Sequence, residues 1–124
     1  MTKIKVSTVL NSVNDGITKF EGIGILKNKK IIFFENNIKV IIVFDSNNLT
    51  VNRVSDEYTI LLQFENSLTK EGNYDIKCDS IQIPIKTSTS VLKILDNTIH
   101  VEYELELGGV SNGKFVYDIN YEVV

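Results

Sequence analysis

Apolar and polar residues alternate along most of the chain, and the clearest example lies near its C-terminal end. Between Thr98 and Leu107, large apolar residues occupy every second position and alternate with His100 and three glutamates. Successive residues of a β-strand point to opposite faces. The pattern therefore predicts a strand with one buried face and one solvated face.

Similar alternation recurs in short segments separated by turn-forming Asn, Asp, Gly and Ser residues. The segments that we interpret as strands are Lys3–Leu10, Ile17–Leu26, Lys30–Glu35, Ile38–Phe44, Leu49–Ser55, Tyr58–Glu65, Tyr74–Cys78, Ile81–Ile85, Val91–Leu95, Thr98–Leu107 and Lys114–Val124. The segment from Tyr58 could also form a helix capped by Ser55, but two adjacent leucines blur the helical period and favour a strand. Polar residues predict a loop over Asn66–Asn73 and a break over Thr87–Ser90.

Short antiparallel strands joined by hairpins form a meander, which either closes into a barrel or folds into a sandwich. Gly22 and Gly24 share one face of the second predicted strand, and this spacing predicts a sharp bend or a close backbone approach. We therefore predict an all-β fold and a single domain over residues 1–124. Its expected architecture is an antiparallel meander closed into a β-barrel of about eight to ten strands.

The composition agrees with a soluble all-β domain. The chain of 124 residues contains no alanine, the best helix former, and is rich in residues that favour strands, such as Ile, Val and Thr. The charged fraction is 23% and the hydrophobic fraction is 43%. These values are typical of a globular domain and not of a disordered chain.

The net charge and the cysteine content indicate which classes of partner and which cellular compartment to expect. The net charge of −3 argues against a nucleic-acid partner, which would require a basic patch. The longest apolar run, Val40–Phe44, is too short to span a bilayer, and the first residues lack the apolar segment of a signal peptide. The single cysteine, Cys78, excludes an internal disulfide and fits a reducing compartment. We therefore expect a cytoplasmic protein that binds neither nucleic acid nor membrane.

Several strand motifs resemble those of a known family. They are I-K-V-S-T from Ile4, F-E-G-I-G-I from Phe20, V-N-R-V from Val51, Phe64 late in its strand, and E-Y-E-L-E-L-G-G from Glu102. With these motifs, the chain resembles over nearly its whole length the YwiB-like family, uncharacterised bacterial proteins with a calycin-like (lipocalin-type) β-barrel. It departs from the family pattern at 76–80, where Ile-Lys-Cys-Asp-Ser replaces a Thr-x-Tyr-Gly turn. The resemblance implies the barrel, and it implies ligand binding by analogy with other calycins.

Arg53 is the most unusual residue on a predicted inner strand face. It is the only arginine, and it lies in phase with Leu49 and Val51. If that face points into the barrel, the guanidinium could clamp a carboxylate or a phosphate. The candidate ligand-binding residues beside it are Tyr103, Tyr117 and Tyr121. The alternative is an arginine at the barrel rim that reaches water or pairs with Glu35.

No combination of residues indicates a catalytic site, a metal site or a cofactor site. His100, the only histidine, is in phase with glutamates on a solvated face, opposite Lys93, and a general base belongs in a cleft beside its partner. One histidine and one cysteine cannot form a structural zinc site. We expect Cys78 to be a small buried thiol at a strand end. We therefore expect a protein that is not an enzyme.

The third and fourth predicted strands are apolar on both faces. Their second apolar face consists of Ile32, Phe34, Ile41 and Val43. Such a face is either covered or forms a contact surface. Two functions are therefore open. The first is the binding of a small amphipathic or anionic molecule inside the barrel. The second is protein interaction by a filled barrel, either as a protease-inhibitor-like module or as a homodimer. The corresponding oligomeric states are a monomer or a homodimer.

Overall fold

The computed structural model describes residues 1–124 and consists of ten β-strands and their connecting turns, with no helix. The strands are β1 (Thr2–Ser12), β2 (Gly16–Lys27), β3 (Lys30–Glu35), β4 (Ile38–Phe44), β5 (Asn48–Val54), β6 (Tyr58–Glu65), β7 (Thr69–Ile76), β8 (Ile81–Leu95), β9 (Thr98–Leu107) and β10 (Val110–Val123). Each strand pairs antiparallel with the next one in the sequence, and β10 pairs with β1 to close the barrel. The predicted all-β meander, closed into a barrel, is confirmed.

The hairpin registers follow the inner apolar face. Asn36 and Asn37 form a two-residue turn in which Asn36 has a φ of 58°, and Phe33 pairs with Val40 as predicted. A slip of one residue would turn every buried side chain of a strand outward, so burial of one face fixes the register. The other predicted pairs are also present: Ile31 with Ile42, Leu92 with Val101, and Ile94 with Ile99.

Large apolar side chains fill most of the barrel interior. The bulkiest fully buried ones are Phe33, Phe64, Ile4, Ile31, Ile42, Leu49, Ile85, Ile99, Ile119, Val6, Val40 and Val101. Aromatic rings pack among them, since the Phe20 and Phe33 rings stack with centroids 5.2 Å apart. The Phe64 ring lies 4.6 Å from the ring of Tyr103. Little of the interior is therefore available to any other molecule.

Gly24 allows β2 and β3 to approach closely, as the glycine pair predicts. A Cβ atom at this position would lie 2.8 Å from the Ile32 carbonyl oxygen and 3.0 Å from Val6 Cγ2. Side chains do not tolerate such contacts with backbone, so only glycine fits this position. At Gly22, a Cβ atom would lie 2.6 Å from the tip of the Phe20 ring.

The predicted loop over Asn66–Asn73 is wrong for most of its length. Strand β7 begins at Thr69, and only the preceding residues form a turn. Gly72 lies so close to β6 that a Cβ atom would fall 2.0 Å from the Leu61 carbonyl oxygen. The residues from Thr69 to Asn73 are small, polar or charged, so the alternation of apolar and polar residues that marks the other strands is lost.

The predicted break at Thr87–Ser90 is also wrong, because β8 continues through it. Thr87 and Thr89 are buried on the inner face. The Thr87 hydroxyl donates a hydrogen bond to the Gln63 carbonyl. Threonine favours strands, and its hydroxyl can bond to the backbone of another strand, as that of Thr87 does, whereas the Thr89 hydroxyl has no partner. A polar run can therefore still be a buried strand. Ser90 forms a β-bulge, since the register shifts between Thr89 and Val91.

Candidate ligand-binding cavity

A cavity of about 230 Å³ remains inside the barrel. Its lining is mainly apolar but includes an arginine, a glutamate, two threonines and two tyrosines. The lining residues are Thr8, Leu10, Thr18, Glu35, Val51, Arg53, Leu62, Phe64, Tyr103 and Tyr117. Because Glu35 ends β3 and Arg53 lies near the end of β5, the cavity reaches the barrel end that carries the turns after the odd-numbered strands.

Arg53 points into this cavity, as its phase with Leu49 and Val51 predicts. Its Nη1 atom lies 3.4 Å from Oε1 of Glu35, and the two side chains are 24% and 19% exposed. The alternative that the sequence predicts, an ion pair between Arg53 and Glu35, is therefore also correct. The cavity contains an ion pair with no net charge, so an anionic ligand would compete with Glu35 for the guanidinium.

Tyr117 and Tyr103 line the cavity with Arg53, as predicted. The Tyr117 hydroxyl is buried and makes no well-formed hydrogen bond with the protein, although the Thr8 side chain lies beside it. Burial raises the pKa of Tyr117 to about 12, while the nearby Arg53 charge and the Thr8 side chain oppose this shift. Burial also raises the pKa of Tyr103 well above its usual value. Both phenols are therefore neutral, and Tyr117 offers an unused donor and acceptor to the cavity.

Tyr121 does not belong to this group. It lies near the end of β10, at the opposite end of the barrel, and its ring centroid is 6.4 Å from that of Phe44. The side chains of Tyr117 and Tyr121 both pack against the interior, as their shared phase on the strand predicts. Tyr121, however, lies four residues beyond Tyr117, which corresponds to a displacement of about 13 Å along the strand. The phase alone does not show this distance.

Other residues that line the cavity are not among the predicted site residues; they include Thr8, Leu10, Thr18 and Leu62. Thr8 and Leu10 share the inner phase of β1 with Ile4 and Val6, so the signal was present for these two. No pattern indicated which of the many inward positions border empty space, because a cavity depends on how all the side chains fit together.

The second apolar face lies on the outside of the barrel. Phe34 and Val43 are 62% and 45% exposed, while Ile32 and Ile41 are half-buried. Ile32 pairs with Ile41 on one side and with Ile25 on the other. A continuous row of apolar side chains thus crosses β2, β3 and β4, and nothing in the chain covers it.

His100 lies on the outer face of β9 and pairs with Lys93 as predicted. Its Nε2 atom is 2.8 Å from Glu102 Oε2, and its Nδ1 atom is 2.5 Å from Asp118 Oδ1. The hydrogen bonds that the imidazole donates to Glu102 and then to Asp118 raise its pKa. The imidazole is therefore held by two carboxylates and has no nucleophile beside it.

Cys78 is exposed, so the prediction of a buried thiol is wrong. Strand β7 ends at Ile76, which leaves Cys78 in the turn before β8 rather than at a strand end. No group of three or more His, Cys, Asp or Glu side chains is arranged to hold a metal ion. No helix is long and apolar enough to cross a membrane.

A larger depression, of about 500 Å³, lies around the bulged parts of β8 and β10. It is lined by exposed polar side chains such as Ser88, Ser90 and Glu104. Its single lysine, Lys114, is 3.9 Å from the Glu104 carboxylate. The smaller interior cavity is the better candidate site, because it is more apolar and surrounds its buried polar groups.

The fold and the cavity define a small antiparallel β-barrel with a largely filled interior and one cavity lined by both apolar and polar side chains. A family model described as a domain of unknown function, DUF1934, matches residues 4–119, and the chain belongs to this family. A similar solved structure is the YwiB protein from Bacillus subtilis, which is 16% identical, with 99% of this chain and 92% of that chain covered and a TM-score of 0.72. At this identity the likeness shows the fold alone. The resemblance to YwiB-like proteins is confirmed. No curated protein matches the sequence.

Proposed function

We propose that the protein binds a small amphipathic molecule inside the barrel and that it is a binding protein, not an enzyme. The observation that carries this proposal is the buried Tyr117 hydroxyl, which lines a cavity and makes no well-formed hydrogen bond with the protein, although Thr8 lies beside it. A buried donor without a partner costs free energy, and a ligand atom at this position would remove that cost. The exposed, unpaired thiol of Cys78 supports a reducing compartment such as the cytoplasm.

The size of the cavity limits the ligand. A volume of about 230 Å³ corresponds to roughly eight water molecules at about 30 Å³ each. It is smaller than the usual pocket for a drug-sized molecule, which occupies about 300–1,000 Å³. The expected ligand therefore has one or two rings, or a short chain, as its apolar part.

The lining indicates how such a ligand would be oriented. Its apolar part would contact Leu10, Val51 and Leu62, and its polar group would lie near Tyr117 and Arg53. A hydroxyl or an amide could bond to the tyrosine without disturbing the Arg53–Glu35 pair. A carboxylate would need Arg53 to leave Glu35, so an anionic ligand is the less favoured form of this proposal.

Native mass spectrometry of protein purified from its own host tests this function. We expect an adduct that disappears on denaturation. The Tyr117→Phe and Arg53→Met variants should lose most of the adduct, whereas Tyr121→Phe, which removes a hydroxyl outside the cavity, should retain it. If no adduct is found and no member of a panel of small phenols, amides and carboxylates raises the Tm, the proposal is contradicted.

A second candidate function is protein interaction through the outer apolar face of Ile32, Phe34, Ile41 and Val43. The exposure of Phe34 and Val43 favours it, since single-chain proteins rarely leave a continuous apolar row uncovered. Phe34→Lys should abolish binding to a protein partner and leave the small-molecule adduct intact. Ile41→Lys should act in the same way, unless this half-buried residue contributes to the core, in which case the variant loses stability instead.

A further inference from the structure

Arg53 and Glu35 form a loose ion pair at the interior cavity. A single hydrogen bond joins the two side chains, from Arg53 Nη1 to Glu35 Oε1, and its length is 3.4 Å. Hydrogen bonds between such charged groups are usually about 2.7–2.9 Å long, and arginine often binds a carboxylate through two of them. The two side chains therefore do not satisfy each other fully.

Both side chains keep hydrogen-bonding groups that the protein does not use. A guanidinium carries five N–H donors, and Arg53 donates only one of them to another residue. The second carboxylate oxygen of Glu35, Oε2, accepts no hydrogen bond from the protein. Both residues line the cavity. A molecule in the cavity therefore meets free donors and a free acceptor side by side.

The pair also opposes ligands of either charge. An anionic group beside Arg53 approaches the Glu35 carboxylate, and a cationic group beside Glu35 approaches the Arg53 guanidinium, so each meets a like charge. A zwitterion would bring two further charges into a cavity that is lined mainly by apolar side chains, which is costly. A neutral group that accepts and donates hydrogen bonds on neighbouring atoms avoids both costs.

We propose that Arg53 and Glu35 together recognise a carboxamide or lactam group, whose oxygen accepts from Arg53 and whose N–H donates to Glu35. This inference rests on the proposed function, because it assigns the ligand class of the same cavity. In both groups the oxygen and an N–H lie on the same side of a planar unit, which matches the planar guanidinium. The amide oxygen has a second lone pair, to which the Tyr117 hydroxyl can donate.

Benzamide, benzoate and benzamidine test this assignment by NMR titration of the protein. The three probes share one ring and a planar head group of similar size, but they are neutral, anionic and cationic near neutral pH. The wild type should bind benzamide about tenfold or more tightly than either charged probe, since each charged probe loses its hydrogen bond to one of the two residues. The shifted resonances should belong to residues that line the cavity.

Removing one charge at a time should change the order of affinities. Glu35→Gln leaves Arg53 without its counter-charge, so this variant should bind benzoate most tightly. Arg53→Met leaves Glu35 alone, so this variant should prefer benzamidine. The matched controls Glu122→Gln and Lys39→Met remove the same charges from exposed positions on the outer face, and both should bind the probes like the wild type.

The double variant Arg53→Met/Glu35→Gln keeps the test decisive if a single variant does not fold. It leaves neither charge alone in the cavity, and it should bind benzamide more weakly than the wild type and show no preference between benzoate and benzamidine. A double variant that keeps the wild-type order of affinities would overturn the proposal.

The outcomes separate this assignment from small-molecule binding in general. A wild type that binds a charged probe as tightly as benzamide would overturn the carboxamide assignment, and so would an order of affinities that neither single substitution changes. If none of the three probes binds while an adduct from the host occupies the cavity, the assignment fails and the proposed function stands. If neither a probe nor an adduct binds, both are contradicted.

Discussion

The Arg53 guanidinium and the Glu35 carboxylate lie 3.4 Å apart at the interior cavity, with 24% and 19% of their side chains exposed. At this depth both charges keep some contact with water. Their interaction should therefore exceed that of a surface ion pair but not reach that of a fully buried pair. Because the chain has one arginine, no other guanidinium can replace Arg53 at the cavity.

We expect the two charges to depend on each other energetically. Arg53→Met leaves Glu35 without a counter-charge, and Glu35→Gln does the same to Arg53. Each variant should lower the free energy of unfolding by about 1 kcal/mol after allowance for solvent screening. The double variant should lose less than the sum of the two, by about 0.5–1 kcal/mol. Urea unfolding measures all four proteins, and strictly additive losses would show that the pair contributes nothing.

Removing the Tyr117 hydroxyl should separate stability from binding. The hydroxyl is buried and makes no well-formed hydrogen bond with the protein, so Tyr117→Phe should leave the protein equally stable or stabilise it by about 1 kcal/mol. A hydroxyl with a protein partner would give a loss of about 0.5–1.5 kcal/mol instead. Thermal and urea unfolding of the ligand-free protein distinguish these results. A clear loss of stability would show that the protein satisfies this hydroxyl and would weaken the case for a ligand.

The fold was predictable because burial of one face of a strand produces a regular alternation of apolar and polar residues in the sequence. Pairs such as Phe33 with Val40 follow from the alternation together with a two-residue Asn turn. Segments with weaker alternation were misread. The first part of β7, from Thr69 to Asn73, consists of small, polar and charged residues. The inner face of β8 carries Thr87 and Thr89 in place of aliphatic residues. Side-chain polarity is a poor guide where a buried hydroxyl can bond to the backbone of another strand, as the Thr87 hydroxyl does to Gln63 on β6.

The candidate site was predictable in part. The phase of Arg53 placed it inside, and the phases of Tyr103 and Tyr117 brought them to the same cavity. The same reasoning placed Tyr121 there wrongly, because a phase gives the direction of a side chain but not its height in the barrel. Whether the Tyr117 hydroxyl makes a well-formed hydrogen bond depends on the positions of many neighbours, and no sequence pattern indicates it.

Gly72 should be the glycine least tolerant of substitution. A Cβ atom there would lie 2.0 Å from the Leu61 carbonyl oxygen, which belongs to the backbone of β6 and cannot rotate away. Gly72→Ala should therefore separate β7 from β6 and destabilise the protein by about 2–3 kcal/mol, at the upper end of overpacking effects. Asn73→Ala, at the exposed neighbouring position, should change stability by less than about 0.5 kcal/mol. Equal effects of the two substitutions in urea unfolding would contradict this expectation.

The stability contribution of His100 should depend on pH. Both ring nitrogens face carboxylates, 2.8 Å from Glu102 and 2.5 Å from Asp118, and only the protonated imidazole can donate to both. The hydrogen bonds that His100 donates to Glu102 and then to Asp118 raise its pKa in the folded protein. A raised folded-state pKa means that protonation favours folding. The stabilisation is complete below the unfolded-state pKa of about 6.5 and is lost as the pH rises through the folded-state pKa.

His100→Gln should therefore cost most in mildly acidic solution. Between about pH 5 and 6.5, where the histidine is protonated, the loss should be about 1 kcal/mol after allowance for solvent screening. At higher pH the difference between the two proteins should shrink, because a neutral imidazole can donate only one hydrogen bond, leaving one carboxylate unsatisfied. Urea unfolding across this range measures the difference, and an NMR titration of the imidazole measures the pKa. A difference that grows as the pH rises, or a His100 pKa below its ordinary value, would show that the two carboxylates do not hold the protonated ring.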